Sequence, residues 1–422
     1  MSRILLRAGK SPFQVLSPER SLAVGRVGVF GANSGNLLFS SAVHRTVSVP
    51  GAEVVTDGFV LQSLKRVPRT AAYVDERFDQ LVLPFANAFR AGFTRQLDTY
   101  SDLIERLRVP VVVVGVGAQM GFHADRPEAG SDLDASVSRF VRAVLDHSAS
   151  IGVRGERTAA YLARLGFSAP HVDVIGCPSL FTDADGFRVE PREVDASSRI
   201  DLTYTSGLES LVERSAADYP RLEFVAQEHH RLRLLLQGLD PEGYDGRGLL
   251  GSGHRLYRED RVRFFVDART WVDHLRDFSF AFGTRIHGSI AAILARVPAV
   301  VLSYDSRTLE LAQYHGIPYR DFHALPDDVT VEDLVAGTDY SAFNARFPEL
   351  AAHYRAFLET NGIEHIWSPG AANPEYDARL AALDLPGPVG VAGASDRTPP
   401  LEPIGHSAVS ELVALRRAEK AP

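Results

Sequence analysis

The sequence contains a single cysteine, Cys177, and no run of about 18 consecutive apolar residues, the length that a membrane-spanning helix needs. One cysteine cannot form an internal disulfide, and such sparse usage is typical of a reducing compartment. The two-leucine apolar core at Leu5 and Leu6 is too short for a signal peptide. We therefore expect a soluble cytoplasmic protein without a membrane span, in which Cys177 is a small buried residue rather than a nucleophile.

Long stretches of positive charge are also missing from the sequence. Acidic residues number 53 against 45 basic residues, which gives a net charge of −8. Nucleic-acid binding needs clustered positive charge, so we expect no nucleic-acid partner.

The length and apolar content of the chain indicate its number of domains. Its 422 residues, 45% of them hydrophobic, suffice for two ordinary cores, and we expect two domains with additions.

Three signatures of cofactor or catalytic chemistry do not occur. The 14 histidines lack metal-ligand spacing, since the adjacent His229 and His230 would point about 100° apart on a helix and His287 and His315 have no partners at ligand spacing. No G-x-S-x-G elbow of a serine hydrolase is present. The glycines after the strand pattern 109–116 do not complete a dinucleotide fingerprint. We expect neither a metal nor an organic cofactor.

Strand and helix patterns alternate along the chain, which predicts an α/β fold with parallel sheets. The clearest strand covers 109–116, a continuous apolar run bounded by breakers and typical of a strand covered on both faces. The other strands predicted in the first half cover 26–30, 80–83, 149–153 and 172–176. Those predicted in the second half cover 200–204, 222–226, 262–266, 278–282 and 299–304.

These two series predict two Rossmann-like domains. The amino-terminal domain covers 1–182, and the linker covers 183–198, which is dense in Asp, Glu, Arg and Pro. The second domain covers 199–365 and includes the loop that carries Arg285 and His287. Within it, the glycine-rich stretch 238–253 is expected to form a mobile loop. The tail, 366–422, is rich in proline and glycine, and we expect poor order there as far as a short terminal helix near 409–418.

Arg285 and His287 stand two residues apart, between the strand 278–282 and a helix pattern that Ser289 would cap. Such loops gather at the carboxyl ends of parallel strands, where ligands bind, and the following helix adds free N–H groups. A guanidinium and an imidazole there suit a phosphorylated or carboxylated substrate. Arg154 follows the strand 149–153 in the same way. The alternative interpretation is that the arginines pair with carboxylates such as Glu156 and that His287 lies in the core.

Further polar or glycine residues lie at or after the ends of other predicted strands. Short polar side chains after the strand 26–30 bind sugar hydroxyls or cap the next helix. A glycine after the strand 109–116 permits a sharp turn or the close approach of a ligand. We predict substrate-binding roles for Asn33, Ser34, Asn36, Gly117, Gln119, His123, Asp305 and Arg307.

The segment Thr-Arg-Ile-His-Gly-Ser at 284–289, with the segments at 291–298 and 300–305, resembles the polysaccharide pyruvyl transferase family. The resemblance extends back to the segments at 153–158, 174–179 and 31–37 and covers most of 24–320. It implies paired Rossmann-like domains of the GT-B glycosyltransferase architecture. It also implies an enzyme that moves the enolpyruvyl part of phosphoenolpyruvate onto a sugar as a cyclic ketal and releases phosphate.

That substrate gives the candidate residues definite roles. Phosphoenolpyruvate carries a carboxylate and a phosphate, and arginine matches planar oxyanions well. The family counterpart of Arg154 helps to hold phosphoenolpyruvate, so the resemblance implies this role for Arg154, and Arg285 fits beside it. His287 either protonates the methylene carbon or, as a cation, binds phosphate and stabilises its departure, and both roles stay open.

The remaining assignments are less defined. Asp305 and His123 are candidates for the base that activates a sugar hydroxyl. Family members commonly have an aspartate where Asn36 stands, so acceptor binding is expected of that loop. The expected partners are phosphoenolpyruvate and a saccharide acceptor, with lipid linkage and oligomeric state left open. Two alternatives remain: a GT-B glycosyltransferase that uses a nucleotide sugar, and a non-catalytic family member that binds glycan.

Overall fold

The computed structural model describes residues 2–24, 28–31, 33–124, 127, 131–182, 186–238 and 251–391. Every pairing between its named strands is parallel. The predicted α/β fold with parallel sheets is therefore confirmed. No helix in these ranges combines the length and the apolar character needed to cross a membrane.

The first half of the chain builds one run of parallel strands. Four strands form a sheet in the order β2-β1-β3-β4, and β5 pairs with β6. A parallel bridge between Val116 and Val153 joins the two groups beyond the end of β4. The strands are β1 Arg3–Leu6, β2 Glu53–Thr56, β3 Gln80–Pro84, β4 Val111–Val114, β5 Ile151–Val153 and β6 Val172–Val174. The helices are α1 Pro18–Ala23, α2 Gly35–Val47, α3 Val67–Arg77, α4 Thr94–Ile104, α5 Ser131–Leu145 and α6 Glu156–Arg164.

The second half builds a six-stranded sheet in the order β12-β11-β10-β7-β8-β9. Because the first strand lies in the middle and the chain winds outward on both sides, this is the strand order of a doubly wound Rossmann sheet. The strands are β7 Ile200–Thr203, β8 Glu223–Ala226, β9 Val262–Phe264, β10 Phe280–Gly283, β11 Ala299–Ser303 and β12 Tyr319–Asp321. The helices are α7 Glu209–Asp218, α8 His229–Gln237, α9 Arg255–Arg258, α10 Ala268–Leu275, α11 Ile286–Leu294, α12 Ser306–His315, α13 Val331–Ala336, α14 Ser341–Thr360 and α15 Pro374–Ala381.

The end of the described chain packs on the first half. Just after α14, the Asn361 side chain accepts from the Ser150 N–H and donates to its hydroxyl, both at 3.0 Å. In α15, Asp377 forms an ion pair of 2.8 Å with Arg45 of α2. The expectation of poor order between 366 and 409 is wrong for α15, while the helix predicted near 409–418 lies outside the described residues.

One predicted strand in the first half is not formed, and two observed strands, β1 and β2, were not predicted. Gly28–Phe30 forms a 3₁₀ turn rather than part of a strand, with Gly28 at φ +64°, and residues 25–27 lie outside the described ranges. The first strand of the structure is instead β1 at Arg3–Leu6, which has only four residues and lies between β2 and β3. The mobile loop predicted at 238–253 lies mostly outside the described residues.

One buried cluster connects the two halves. Side chains of β1, α2, α11 and α14 all contribute to it, among them Leu6, Val43, Ile290 and Tyr354. Separate clusters cover the outer face of the first sheet and the outer face of the second. Packing α2 against α11 brings the carboxyl ends of the strands of both halves to a common cavity.

Candidate active site

A cavity of about 380 Å³ lies between the two halves. The first half contributes strand-end and loop residues, and the second half contributes the ends of β8, β10 and β11. Its polar lining is Arg7, Asn33, Asn36, Gln62, Asn87, Arg90, Gln96, Arg154, Gln227, Thr284, Arg285, His287, Tyr304, Arg307 and Thr308. The structure thus brings together the three leading candidates Arg154, Arg285 and His287.

Arg154 is positioned by the end of β5, where its N–H donates to the Val116 carbonyl at 3.0 Å. Only 3% of the residue is exposed, and neither Nε nor Nη2 has a hydrogen-bond partner in the described chain. Gly117 makes room for it, because a Cβ there would clash with Arg154 Cδ. Burial lowers the pKa of the guanidinium. Neither Nε nor Nη2 makes the pairing with Glu156 that was the alternative interpretation.

Arg285 occupies the N-cap position of α11. Its Nη2 donates to Glu228 Oε1 in an ion pair, while Nε is buried without a partner among the described residues. Glu228 directly follows β8 and Gln227, and it forms an antiparallel bridge with Asn33 of the first half. Part of the guanidinium is therefore held in place by Glu228, and part is available to a ligand.

His287 lies in the first turn of α11, not in a loop before it, because the helix begins at Ile286 rather than at the predicted Ser289 cap. Gly35, the first residue of α2, permits the contact between the halves, since a Cβ there would lie 2.7 Å from His287 Cβ. Burial first, and then the charges of Arg154, Arg285 and Arg307, lower the pKa of His287 to about 3. The imidazole is therefore neutral at neutral pH until a ligand supplies negative charge.

The only cysteine lies beside His287. Cys177 Sγ is 3.9 Å from His287 Nε2 and donates to the Ser179 hydroxyl at 3.3 Å. The residue is 1% exposed, and burial raises the pKa of its thiol. The prediction of a small buried residue is confirmed.

Asp305 caps helix α12. Its carboxylate accepts the N–H groups of Arg307 and Thr308 at 3.1 and 3.2 Å, and it also pairs with the Arg307 guanidinium. A carboxylate engaged in this way is a poor base, so the geometry disfavours the base role predicted for Asp305. Arg307 itself lines the cavity and donates to the Tyr304 hydroxyl at 3.1 Å.

Asn33, just before α2, and Asn36, in the first turn of α2, contribute amides to the cavity wall. Asn33 lines it while its Oδ1 accepts the Gly35 N–H at 2.7 Å, and Asn36 lines it while its Nδ2 donates to the Phe30 carbonyl at 2.7 Å. Both side chains thus shape the loop as well as face the cavity. Ser34 is 1% exposed and does not belong to the lining.

Three predicted binding residues lie in or after the glycine turn that follows β4, namely Gly117, Gln119 and His123. Gly117 acts by accommodating Arg154, as described above. Gln119 is exposed and accepts from Asn87 Nδ2 at 3.0 Å, and His123 is exposed with its ring 4.9 Å from that of Phe122. Neither Gln119 nor His123 belongs to the lining of the cavity.

Several site residues were not predicted from the sequence. Gln227 and Glu228 directly follow β8, so the rule that ligands bind at the carboxyl ends of parallel strands could have found them. Glu310 carries no such signal. It is 2% exposed, accepts the N–H and hydroxyl of Thr158 at 3.0 and 2.9 Å, and has its pKa raised to about 7 by burial, with Arg154 opposing that rise.

A metal centre is not evident in the described ranges, where no group of three or more His, Cys, Asp or Glu residues could hold an ion. The groups that the cavity offers are guanidinium, imidazole, amide and hydroxyl groups. They suit an anionic ligand beside a hydroxylated one.

Comparison with solved structures gives distant likenesses. A putative UDP-N-acetylglucosamine 2-epimerase from Listeria monocytogenes is 10% identical, with a TM-score of 0.41 over 92% of this chain and 98% of that chain. The UDP-GlcNAc 2-epimerase of Methanocaldococcus jannaschii, in complex with UDP-GlcNAc and UDP, is 11% identical, with a TM-score of 0.39 over 79% and 91%. The glycosyltransferase SnogD from Streptomyces nogalater is 14% identical, with a TM-score of 0.29 over 90% and 100%. Likenesses of this degree carry no argument about the function of this chain.

Comparison with curated proteins gives no match. The family described as polysaccharide pyruvyl transferase matches residues 64–306, which is more than half of the chain and includes Arg154, Arg285 and His287. The chain therefore belongs to the polysaccharide pyruvyl transferase family, which makes it a transferase with a saccharide acceptor.

Proposed function

We propose that this transferase moves the enolpyruvyl group of phosphoenolpyruvate onto two hydroxyls of a saccharide, forming a pyruvate ketal and releasing phosphate. The observation that carries the proposal is Arg154, a buried guanidinium with Nε and Nη2 unpartnered, in a cavity that also holds Arg285, Arg307 and His287. Burying a guanidinium whose N–H groups lack acceptors is costly. The Glu310 and Asp305 carboxylates act on Arg154 only through their charge, and an anionic ligand would supply the missing hydrogen-bond acceptors.

The charges in the cavity fit a donor with two anionic groups. Arg154 and Arg285 each have unpartnered N–H groups, and planar guanidinium groups bind carboxylate and phosphate oxygens in pairs. Arg307 keeps its own carboxylate partner, Asp305, and adds charge at the wall. Phosphoenolpyruvate presents both kinds of anion on three carbons, so Arg154 and Arg285 could grip both ends of one small donor.

The reaction balances without a metal or redox partner. A proton adds to the methylene carbon C3, and C2 becomes cationic. One sugar hydroxyl attacks C2 and loses its proton, phosphate leaves with the electrons of the C2–O bond, and the second hydroxyl attacks C2 and loses its proton. Two protons are released and two are used, one at C3 and one on the departing phosphate. The products are the cyclic ketal and hydrogen phosphate.

His287 is the residue best placed to deliver the proton or to bind the departing phosphate. Its ring is neutral in the ligand-free protein because burial and three guanidinium groups lower its pKa to about 3. A dianionic phosphate beside the ring would reverse that electrostatic effect and favour imidazolium. The donor would thus bring the proton onto His287 as it binds, ready for C3 or for the leaving group.

The test is phosphate release from phosphoenolpyruvate by the purified protein, with a panel of methyl glycosides as acceptors. We expect release that depends on the glycoside, with a product heavier than the acceptor by one pyruvate less one water. Arg285→Lys keeps the charge but loses the paired geometry, so we expect about 10- to 100-fold weaker donor binding.

The matched control is Arg346→Lys, the same change at an exposed arginine outside the cavity. Its activity should equal that of the wild type. Turnover of UDP-GlcNAc without any turnover of phosphoenolpyruvate would contradict the proposal and favour a glycosyltransferase.

A further inference from the structure

Gln227 has no role in the function proposed so far, and its surroundings are unusual. It directly follows β8, is 1% exposed and lines the cavity beside Arg285 and His287. Neither Oε1 nor Nε2 of its amide has a hydrogen-bond partner in the described part of the chain. Buried amides are normally hydrogen-bonded, so a buried amide in the cavity wall with no partner at either end points to hydrogen bonds made to a ligand.

The backbone holds Gln227 where the two halves of the protein meet. Its carbonyl accepts the Ser34 N–H at 2.9 Å, and the next residue, Glu228, bridges to Asn33 and pairs with Arg285. On the other side, Gly288 leaves space for the amide, because a Cβ there would lie 2.8 Å from Gln227 Nε2. The side chain is thus fixed next to the first turn of α11, which carries His287.

The chemistry of the amide identifies the ligand group. Nε2 donates and Oε1 accepts, so the complementary ligand must both accept and donate. The carboxylate and the dianionic phosphate of phosphoenolpyruvate only accept, and Arg154 and Arg285 already offer them donors. A pair of neighbouring sugar hydroxyls both accepts and donates. Ketal formation joins the two oxygens of such a pair, which belong to different sugar carbons, to C2 of the donor.

We propose that Gln227 binds the two acceptor hydroxyls that become the ketal oxygens, with Nε2 donating to one oxygen and Oε1 accepting from the other. This inference rests on the proposed function. Gln227 is on this account a specificity residue: it selects a sugar with two hydroxyls spaced to match one amide, and it presents them beside His287. It neither removes a proton nor contacts the phosphate.

The test compares the wild type with Gln227→Leu, which has nearly the same size and no hydrogen-bonding atoms. Phosphoenolpyruvate binding, measured by calorimetry, should change less than twofold. Methyl glycosides of galacto, gluco and manno configuration are then titrated separately into donor-free protein, where no turnover can occur, and followed by saturation-transfer NMR. At least one should bind the wild type and bind Gln227→Leu at least tenfold more weakly.

Two controls keep the failures distinguishable. Gln313→Leu, the same change at an exposed glutamine outside the cavity, should bind both ligands like the wild type. If Gln227→Leu does not fold, Gln227→Asn replaces it in both binding measurements, because it retains the amide on a shorter side chain. No phosphoenolpyruvate binding by the wild type would refute the proposed function itself.

Three other results would overturn the inference about Gln227 alone. One is equal glycoside binding by the wild type and the variant, and the second is binding of none of the three glycosides by the wild type. The third is loss of phosphoenolpyruvate binding in Gln227→Leu, which would place the amide in the donor site.

Discussion

Arg154 in the cavity and Arg261 beside the second sheet are both buried, at 3% and 8% exposure, but their surroundings differ completely. Arg261 donates to the carbonyls of Leu222, Ala216 and Tyr219 at 2.6–2.9 Å and pairs with Glu259. Arg154 leaves Nε and Nη2 without partners in the described chain. The same type of side chain is thus fully hydrogen-bonded within the fold at one place and lacks partners in the cavity at the other.

The difference in hydrogen-bond partners affects the stability of the fold. A buried cation whose hydrogen-bonding groups are met by carbonyls contributes to the stability of the fold. One without such partners lowers stability, and a protein retains it where binding requires it. Burial alone therefore does not distinguish structural from functional arginines, but the hydrogen-bond partners do.

The largest expected effect comes from replacing each arginine by methionine. Arg154→Met should lower kcat/KM for phosphoenolpyruvate by about 10³-fold, since a charged group that stabilises the reacting anion is lost. Its free energy of unfolding should stay equal or rise. Arg261→Met should lower the free energy of unfolding by about 2–4 kcal/mol, because it leaves buried carbonyls unpaired.

Phosphate-release kinetics and urea denaturation of the two variants check this contrast, with activity expressed per folded molecule. Arg261→Met should retain near wild-type kcat/KM on that basis. The contrast fails if both variants lose stability equally, or if Arg154→Met remains active.

A smaller effect distinguishes two histidines, the half-buried His287 and the fully buried His315. Burial lowers the pKa of both His287 in the cavity and His315 in the core to about 3. His315 Nε2 accepts the Cys177 N–H at 2.8 Å and faces no ligand. Negative charge on the donor should raise the pKa of His287 alone, so binding takes up protons. Affinity should strengthen as pH falls through the raised pKa, by at most about tenfold per pH unit for one proton.

Calorimetry in buffers of different ionisation enthalpy measures this proton uptake. His287→Gln should abolish its larger part, and Glu310→Gln serves as the control because Glu310 also titrates near neutral pH, with a pKa of about 7. Proton uptake that is unchanged in His287→Gln would show that another group takes the proton.

Both histidines should also affect stability. Because their pKa is lower in the folded than in the unfolded protein, their contribution to stability is complete above about pH 6.5 and is lost as pH falls towards 3. Phosphoenolpyruvate should reduce this loss at His287 and leave that at His315 unchanged.

The smallest effect concerns the ion pair at the cavity wall. If Asp305 is a cap and a partner of Arg307, Asp305→Asn should lower the free energy of unfolding by about 1 kcal/mol and reduce kcat less than tenfold. Thermal unfolding and phosphate release measure both quantities. A loss of kcat of about 10³-fold without destabilisation would restore the base role that the sequence predicted.

The sequence predicted the fold well where apolar runs are long. The run 109–116 contains β4, and all four residues of that strand are buried. The short strand β1 was missed because four residues do not establish an alternating pattern. The strand predicted at 26–30 is wrong because Gly28 adopts a positive φ, which a hydrophobic pattern does not reveal.

The site was predictable where residues follow strands in a recognisable motif. Arg154, Arg285 and His287 all line the cavity as a set. The hydrogen-bond and ion-pair partners of each group were not predictable, because those partners lie far away in sequence. Glu228 engages Arg285 from 57 positions away, and Thr158 and Glu310 meet across 152 positions. Asp305 was the exception: an aspartate directly before a helix is a common cap, and that signal was available.

The most direct test is calorimetric titration of the ligand-free protein with phosphoenolpyruvate at pH 7, in the wild type, Arg154→Met and Arg261→Met. We predict one binding site in the wild type and in Arg261→Met, and binding at least 100-fold weaker in Arg154→Met. Wild-type affinity in Arg154→Met, or no binding by the wild type, would contradict the claim that this cavity holds a doubly anionic donor.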